Sequence, residues 1–151
     1  MWFSEIMLNK IFAPGVNSFW VNLGLLVLRA WLGATILLNH GLGKLTGFGK
    51  LSGGFPDPFG IGHTASLTLV VFAEFFAAGL LVLGLVTRFA GLVLSINLAV
   101  AFLYVHKAAL SGSHSGELAF IYMAGFVTLL IAGGGAFSAD KAIFKSGGSK
   151  G

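Results

Sequence analysis

The chain contains no cysteine, and only 9% of its residues are charged. Without thiolates it cannot carry out disulfide exchange or hold an iron–sulfur cluster by itself, so thiol chemistry would have to come from a partner. So few charges beside 56% apolar residues, with a mean hydropathy of +0.93, exclude a soluble domain of 151 residues. The net charge of +4 comes from scattered lysines and arginines without an aromatic and basic motif, which excludes a nucleic-acid binder. The glycine-rich stretch "TGFGKLSGGFPDPFGIGHTAS" lacks the lysine–serine ending of a phosphate-binding loop and has no strand-to-helix context. No internal repeat is visible, which counts against a proton-coupled small-molecule transporter, the least favoured of three functional readings.

Four long apolar runs are present, at about 20 to 41, 65 to 86, 89 to 110 and 116 to 136. A hydrocarbon core of about 30 Å takes roughly 20 helical residues per crossing. Backbone amides find no water there, so each run is expected to be a helix. The expected fold is all-α, a polytopic membrane four-helix bundle over residues 20–141. Before it, residues 1–19 mix Trp2, Phe3 and Ile6 with Glu5 and Lys10 and break at Pro14-Gly15, which suggests an interfacial helix. Residues 142–151 read as a flexible tail. The first run is interrupted by Arg29 and has no basic leader directly before it, so it is expected to be retained.

Lys10, Arg88, Lys141, Lys145 and Lys150 fall on one side of this topology, and Lys44, Lys50 and Lys107 on the other. The bias places both termini in the cytoplasm, in a bacterial or archaeal inner membrane.

Inside the run "LVLRAWLGATILLNHGLGKL" stands a fixed charge, Arg29. It lies nine residues after Trp20, and Glu74 lies ten after Thr64, which puts both near the bilayer midplane if the helices match in length. The expectation is an Arg29–Glu74 ion pair, either a functional polar centre or a device that fixes helix register. Steps of three, four or seven align Asn22, Arg29, Gly33, Ile36, His40 and Lys44 on the first helix. On the second they align His63, Leu67, Val70, Glu74, Ala78 and Leu81, and on the fourth Glu117, Phe120, Ala124, Thr128 and Gly135. The third helix offers two faces, Asn97 with Tyr104 or His106 with Ser95 and Arg88, and periodicity does not choose between them.

The topology also gathers His40, His63, His106, His114 and Glu117 on the outer side, with Lys44 and Lys107. A shared pocket is expected there, lined by His40 and Glu117. Such residues can relay protons or contact a quinone carbonyl. The same side chains, His40, His106 and His114 above all, are candidate ligands for a transition metal or haem. Polar residues at a wet helix boundary are the plain alternative. The loop phenylalanines Phe48, Phe55 and Phe59, with Pro56 and Pro58, fit an outer loop that caps this mouth.

Three segments resemble the DoxX family of small four-helix membrane proteins. "LRAWLGATILLNHGLGKL" is similar to its first helix, and "AEFFAAGLLVLGLVTRFAGLVL" to its second helix, turn and third-helix start. "HSGELAFIYMAGFVTLLIAGGGAFSAD" is similar to its fourth helix and closing Gly-x-Gly-x-x-Ser-x-Asp, so the likeness covers roughly residues 20 to 141. The chain departs from the family pattern at Gly134, Ala136 and Phe137, where proline, arginine and tyrosine are frequent. The resemblance implies Arg29, His40, Lys44, Glu74, Arg88, Glu117 and Asp140 as the matching polar positions. It also implies a setting, since relatives include a subunit of a thiosulfate:quinone oxidoreductase and a scaffold for redox enzymes. The expectation is a component of a quinone-linked membrane redox system, with Arg29 and Glu74 as its centre and His40, Lys44, His106 and Glu117 holding quinone. The alternative is a non-catalytic membrane scaffold. Either would contact lipid and further subunits, or copies of itself.

Overall fold

The computed structural model describes residues 19–144. The expected interfacial segment up to residue 18, and the tail beyond residue 144, lie outside the described residues. Four main helices form: α1 Phe19–Thr46, α3 His63–Leu83, α4 Thr87–Val105 and α5 Glu117–Ala132. Two short ones, α2 Phe48–Leu51 and α6 Ala139–Phe144, follow α1 and α5. Among the described residues every regular element is helical, so the all-helical expectation holds.

Glycines in the left-handed region stop these helices where the sequence breaks. Gly84 closes α3 at φ 69, and Gly133 follows α5 at φ 79. The glycines of "HGLGKL" do not stop α1, because Gly41 keeps helical dihedrals of φ −68 and ψ −48. The first helix therefore runs to Thr46 rather than ending near residue 41.

α1, α3 and α4 are long and apolar enough to cross a membrane, whereas α5 is a shorter apolar helix of 16 residues. They bury a core of Ile36, Ala77, Ala78, Leu81, Ala90, Leu94, Leu98, Phe126 and Leu129. Small residues let the backbones close up. A β carbon on Gly33 would meet Val82 Cγ2 at 2.8 Å, and one on Gly91 would meet the Phe126 carbonyl oxygen at 3.1 Å. Outside, Trp20, Trp31, Leu69, Phe76, Leu83, Ile121 and Ile131 are exposed, a continuous apolar coat that suits lipid rather than water. The protein is a helical membrane protein.

The inward stripe of α1 is as expected, with Arg29, Gly33 and Ile36 buried. That of α3 is too, with Leu67, Glu74, Ala78 and Leu81 buried and His63 left outside. The stripe assigned to α5 is not. Glu117, Phe120, Ala124 and Thr128 are exposed, and the helix buries Phe126 and Leu129 instead. α5 is apolar on every side, so its few polar residues carry no phase information. Thr128 needs no partner across the bundle, because its hydroxyl donates to the Ala124 carbonyl at 2.9 Å within the helix.

Three π turns interrupt the helices: Leu37–Gly41 in α1, Phe72–Ala77 in α3 and Ala101–Val105 at the end of α4. Such turns hold an extra residue, shift the helical phase of the residues beyond them and collect at functional sites. The first two contain His40 and Glu74, and the third immediately precedes His106.

Candidate functional site

Arg29 and Glu74 do not meet. Gly41, not Arg29, lies against Glu74, its missing β carbon leaving room for the Glu74 main chain. Arg29 precedes Gly41 by twelve residues, about 18 Å along the helix axis. The two are not at equal depth because α1, 28 residues against 21, begins well before the level at which α3 ends, so that Arg29, ten residues into α1, stands beside Leu81 and Val82.

The arginine is instead a cap for the end of α3. Its Nη1 donates to the Leu81 carbonyl at 3.3 Å and to the Val82 carbonyl, and its Nη2 to the Phe137 carbonyl at 2.5 Å. The last carbonyls of a helix have no partners within it and carry partial negative charge, so they hold both terminal nitrogens of the buried guanidinium without a carboxylate hydrogen bond, while its Nε has no partner among the described residues. Gly84 leaves the space, since a β carbon on it would sit 2.7 Å from Arg29 Nη1. Asp140 completes this end. Its carboxylate accepts the N–H groups of Val86 at 2.6 Å and Thr87 at 2.8 Å, while its own N–H donates to the Gly84 carbonyl at 2.9 Å. Asn22 accepts the Ala136 N–H at 2.6 Å. Asp140 thus pins the segment after α5 to the turn between α3 and α4, while Arg29 and Asn22 tie that segment to α1.

Glu74 is paired with Lys44, at 2.5 Å between Nζ and Oε2. Asn97 Nδ2 donates to the other carboxylate oxygen at 3.2 Å. The pair is largely buried, with side-chain exposures of 22% for Lys44 and 9% for Glu74. Helical spacing puts Lys44 on the Arg29 stripe four residues after His40, and half-buried Asn97 is the α4 side chain that reaches Glu74, beside the buried face of Thr87, Gly91, Leu94, Ser95 and Leu98. Of the two faces the sequence offered, Tyr104 is exposed, whereas Ser95 is buried and donates its hydroxyl to the Gly91 carbonyl of its own helix at 2.7 Å. The π turn shifts the helical phase just before His106, which lines the same cavity as Asn97.

This triad stands in the wall of a cavity of about 750 Å³. His40 and His106 line it too, among apolar residues such as Ile36, Val70, Val93, Ile96 and Tyr122. Phe55, Pro56, Pro58, Phe59 and Ile61 from the loop between α2 and α3 also line it, so that loop forms part of the cavity wall. The loop is held by Asp57, which sequence reasoning missed. Its carboxylate accepts the N–H groups of Ile61 at 3.1 Å and Gly62 at 2.8 Å and the Ser66 hydroxyl at 2.8 Å. The Ser66 hydroxyl above all, then the two amides and the nearby His63, hold this carboxyl below its usual range against the opposing effect of desolvation. The Asp-to-Ser spacing across a Pro, Gly and Gly turn is a local capping signal that periodicity does not register. Phe59 rests edge-on against Tyr104 at 5.2 Å between ring centres, tying the loop to α4.

The outer cluster comes together only in part. His40, Lys44 and His106 share the cavity, but Glu117 does not line it and is exposed in the first turn of α5. The π turn at the end of α4 carries His106 into the cavity, while Glu117 projects from a helix that buries its opposite side. His63 Nδ1 lies 2.6 Å from the Phe55 carbonyl, where it holds the loop. His114 is exposed and contributes its main-chain carbonyl, 3.1 Å from His106 Nδ1. Among the described residues no three histidine, aspartate or glutamate side chains converge as metal ligands, so His40, His106 and His114 do not form the metal site weighed from the sequence.

The chain is 37% identical over 71 residues to an uncharacterized protein of Haemophilus influenzae (strain ATCC 51907 / DSM 11121 / KW20 / Rd), covering 44% of this chain and 53% of that relative. It thus spans about half the length of the curated relative it matches. No solved structure matches it significantly. The DoxX family model matches residues 24–107, which hold the Arg29 cap, the Lys44–Glu74–Asn97 triad and both cavity histidines, and the chain belongs to the DoxX family.

Proposed function

We propose that the protein is the quinone-binding component of a membrane redox system, set in a bacterial or archaeal cytoplasmic membrane with both termini inside. The observation that carries this reading is the presence of Lys44, Glu74, Asn97, His40 and His106 together in the lining of a largely apolar cavity. A volume near 750 Å³ falls within the range of sites for ligands the size of a quinone head and the start of its tail. The apolar lining suits a ring that arrives from lipid. Lys44 spends one donor on Glu74 and has two left to donate to a ring carbonyl, while the histidines carry ring nitrogens that can donate or accept a hydrogen bond. Glu74 and Asn97 fix the ammonium in place. Arg29 and Glu117 leave the proposed site, since neither lines the cavity. The electron donor is assigned to a partner subunit, consistent with a chain that has no cysteine.

The test is calorimetric titration of the purified protein in lipid nanodiscs with a short-tailed benzoquinone, followed by the same titration of Lys44→Met. Saturable binding at one site per chain, weakened about tenfold or more in the variant, is the expected result. No saturable binding in the parent would return the protein to the scaffold reading.

A further inference from the structure

The segment after α4 is built around the orientation of one imidazole. Lys107 and Ala108, which directly follow His106, both adopt positive φ, 52 and 56, a conformation that side chains other than glycine rarely take. The turn is held by the Ala108 N–H donating to the Phe102 carbonyl at 2.9 Å and the Gly116 N–H donating to the Ala109 carbonyl at 2.7 Å. These bonds press Gly116 onto the histidine. A β carbon on Gly116 would lie 2.7 Å from His106 Cβ and 3.1 Å from its Cγ. The same turn sets the His114 carbonyl 3.1 Å from His106 Nδ1.

A carbonyl oxygen only accepts, so Nδ1 must carry the proton in this contact. In the neutral ring Nε2 is then an acceptor, and among the described residues it has no hydrogen-bond partner. His106 lines the cavity in which Lys44 supplies only donors. The lining therefore offers donors at Lys44 and an acceptor at His106 Nε2.

We propose that His106 is the residue that distinguishes the reduced from the oxidised ligand: its Nε2 accepts a hydrogen bond from a ring hydroxyl, which a hydroquinone has and a quinone lacks. This rests on the quinone reading of the cavity and adds to it a preference for the hydroquinone. A quinone carbonyl opposite Nε2 would place two acceptors together, with neither satisfied. The His114 carbonyl and the Gly116 contact are positioning features, because they fix the tautomer and the ring plane without touching the ligand.

The experiment titrates the parent in nanodiscs with a short-tailed benzoquinone and, under anaerobic conditions, with its hydroquinone. Parent protein should bind the hydroquinone about tenfold more tightly, the worth of one net hydrogen bond. In His106→Phe the two affinities should become equal, chiefly through weaker hydroquinone binding, whereas His40→Phe should keep the preference. Equal affinities in the parent, or a preference that survives His106→Phe, would overturn the inference while leaving quinone binding in place. Failure of both forms to bind would remove the quinone reading itself and the inference with it. A second measurement does not rest on affinity: nitrogen NMR of the parent labelled in histidine should show two rings protonated at Nδ1 by their carbonyl contacts, His63 and His106, of which one, absent in His106→Phe, has an Nε2 signal that moves on adding hydroquinone and not quinone. Equal movement with both, or none, would also overturn it.

Discussion

Gly41 and Glu74 pack main chain to main chain, so closely that any β carbon on Gly41 would overlap the Glu74 carbonyl. Both residues lie in π turns, and their approach is what lets Lys44, one turn further along α1, reach the Glu74 carboxylate. Backbone cannot swing aside as a side chain does, so Gly41→Ala should separate α1 from α3. The expected cost is about 1 to 3 kcal/mol of stability, read as a lower melting temperature in detergent, together with loss of ligand binding. Gly43→Ala is the control, since nothing lies within 4 Å of its added carbon. It should be neutral or stabilise by up to about 1 kcal/mol through helix propensity. Equal behaviour of the two variants would mean that the close approach is not what holds the helices.

The Lys44–Glu74 pair should respond as a partly shielded ion pair. Lys44→Met leaves a carboxylate with only Asn97, and Glu74→Gln leaves an ammonium without its counter-charge. Each single change should cost about 1 to 3 kcal/mol, less than the loss expected at a fully buried pair because Lys44 keeps some exposure. The double variant should regain part of that stability, while quinone binding stays weak. Additive losses in thermal melts would show that the two charges do not depend on each other.

Arg29 is expected to be independent of Glu74. Arg29→Lys keeps the charge but loses the planar fork that reaches Leu81, Val82 and Phe137 together. It should destabilise by about 2 to 4 kcal/mol and leave quinone affinity unchanged in the fraction that folds. In the pair Arg29→Lys and Glu74→Gln, losses should add to within about 0.5 kcal/mol, as for distant sites. Rescue of one by the other would restore the pairing read from sequence.

How far the sequence carries is clearest at these residues. The stripe from Asn22 to Lys44 is legible because α1 mixes polar and apolar residues at helical spacing, and Glu74 stands out as an acid in an apolar run. The Arg29–Glu74 partnership misleads because equal depth assumes that the two helices start and stop together, whereas α1 begins about ten residues before the level of the α3 end that Arg29 caps. The inward face of α4 is ambiguous in one dimension because a π turn changes the period between Asn97 and His106. Nothing in the composition of that segment marks the extra residue. In α5 the apolar residues go all the way round, and only packing against α4 decides that Phe126 and Leu129 face inward. Asp57 escapes notice because its partners lie in a turn, where hydrophobic periodicity is silent.

Asp57 also supplies a pH signature for the loop that lines the cavity. Its carboxyl is held below the usual range, first by the Ser66 hydroxyl and then by the Gly62 and Ile61 amides and His63. A folded-state value below the unfolded one means that the carboxylate stabilises the loop fully above the ordinary aspartate range, near pH 4. That contribution fades as the pH falls through the folded value, when the proton competes with the three donors. Asp57→Asn keeps the shape but cannot accept three such bonds in the same way, so it should melt below the parent at neutral pH. The gap between the two should close as the pH is lowered past the carboxylate range, because the parent then loses what the variant already lacks. The measurement is a pair of thermal melts from pH 7 down to pH 3 in the same detergent. A gap that stays constant over that range, or no gap at pH 7, would show that an anionic Asp57 does not hold the loop in the cavity wall.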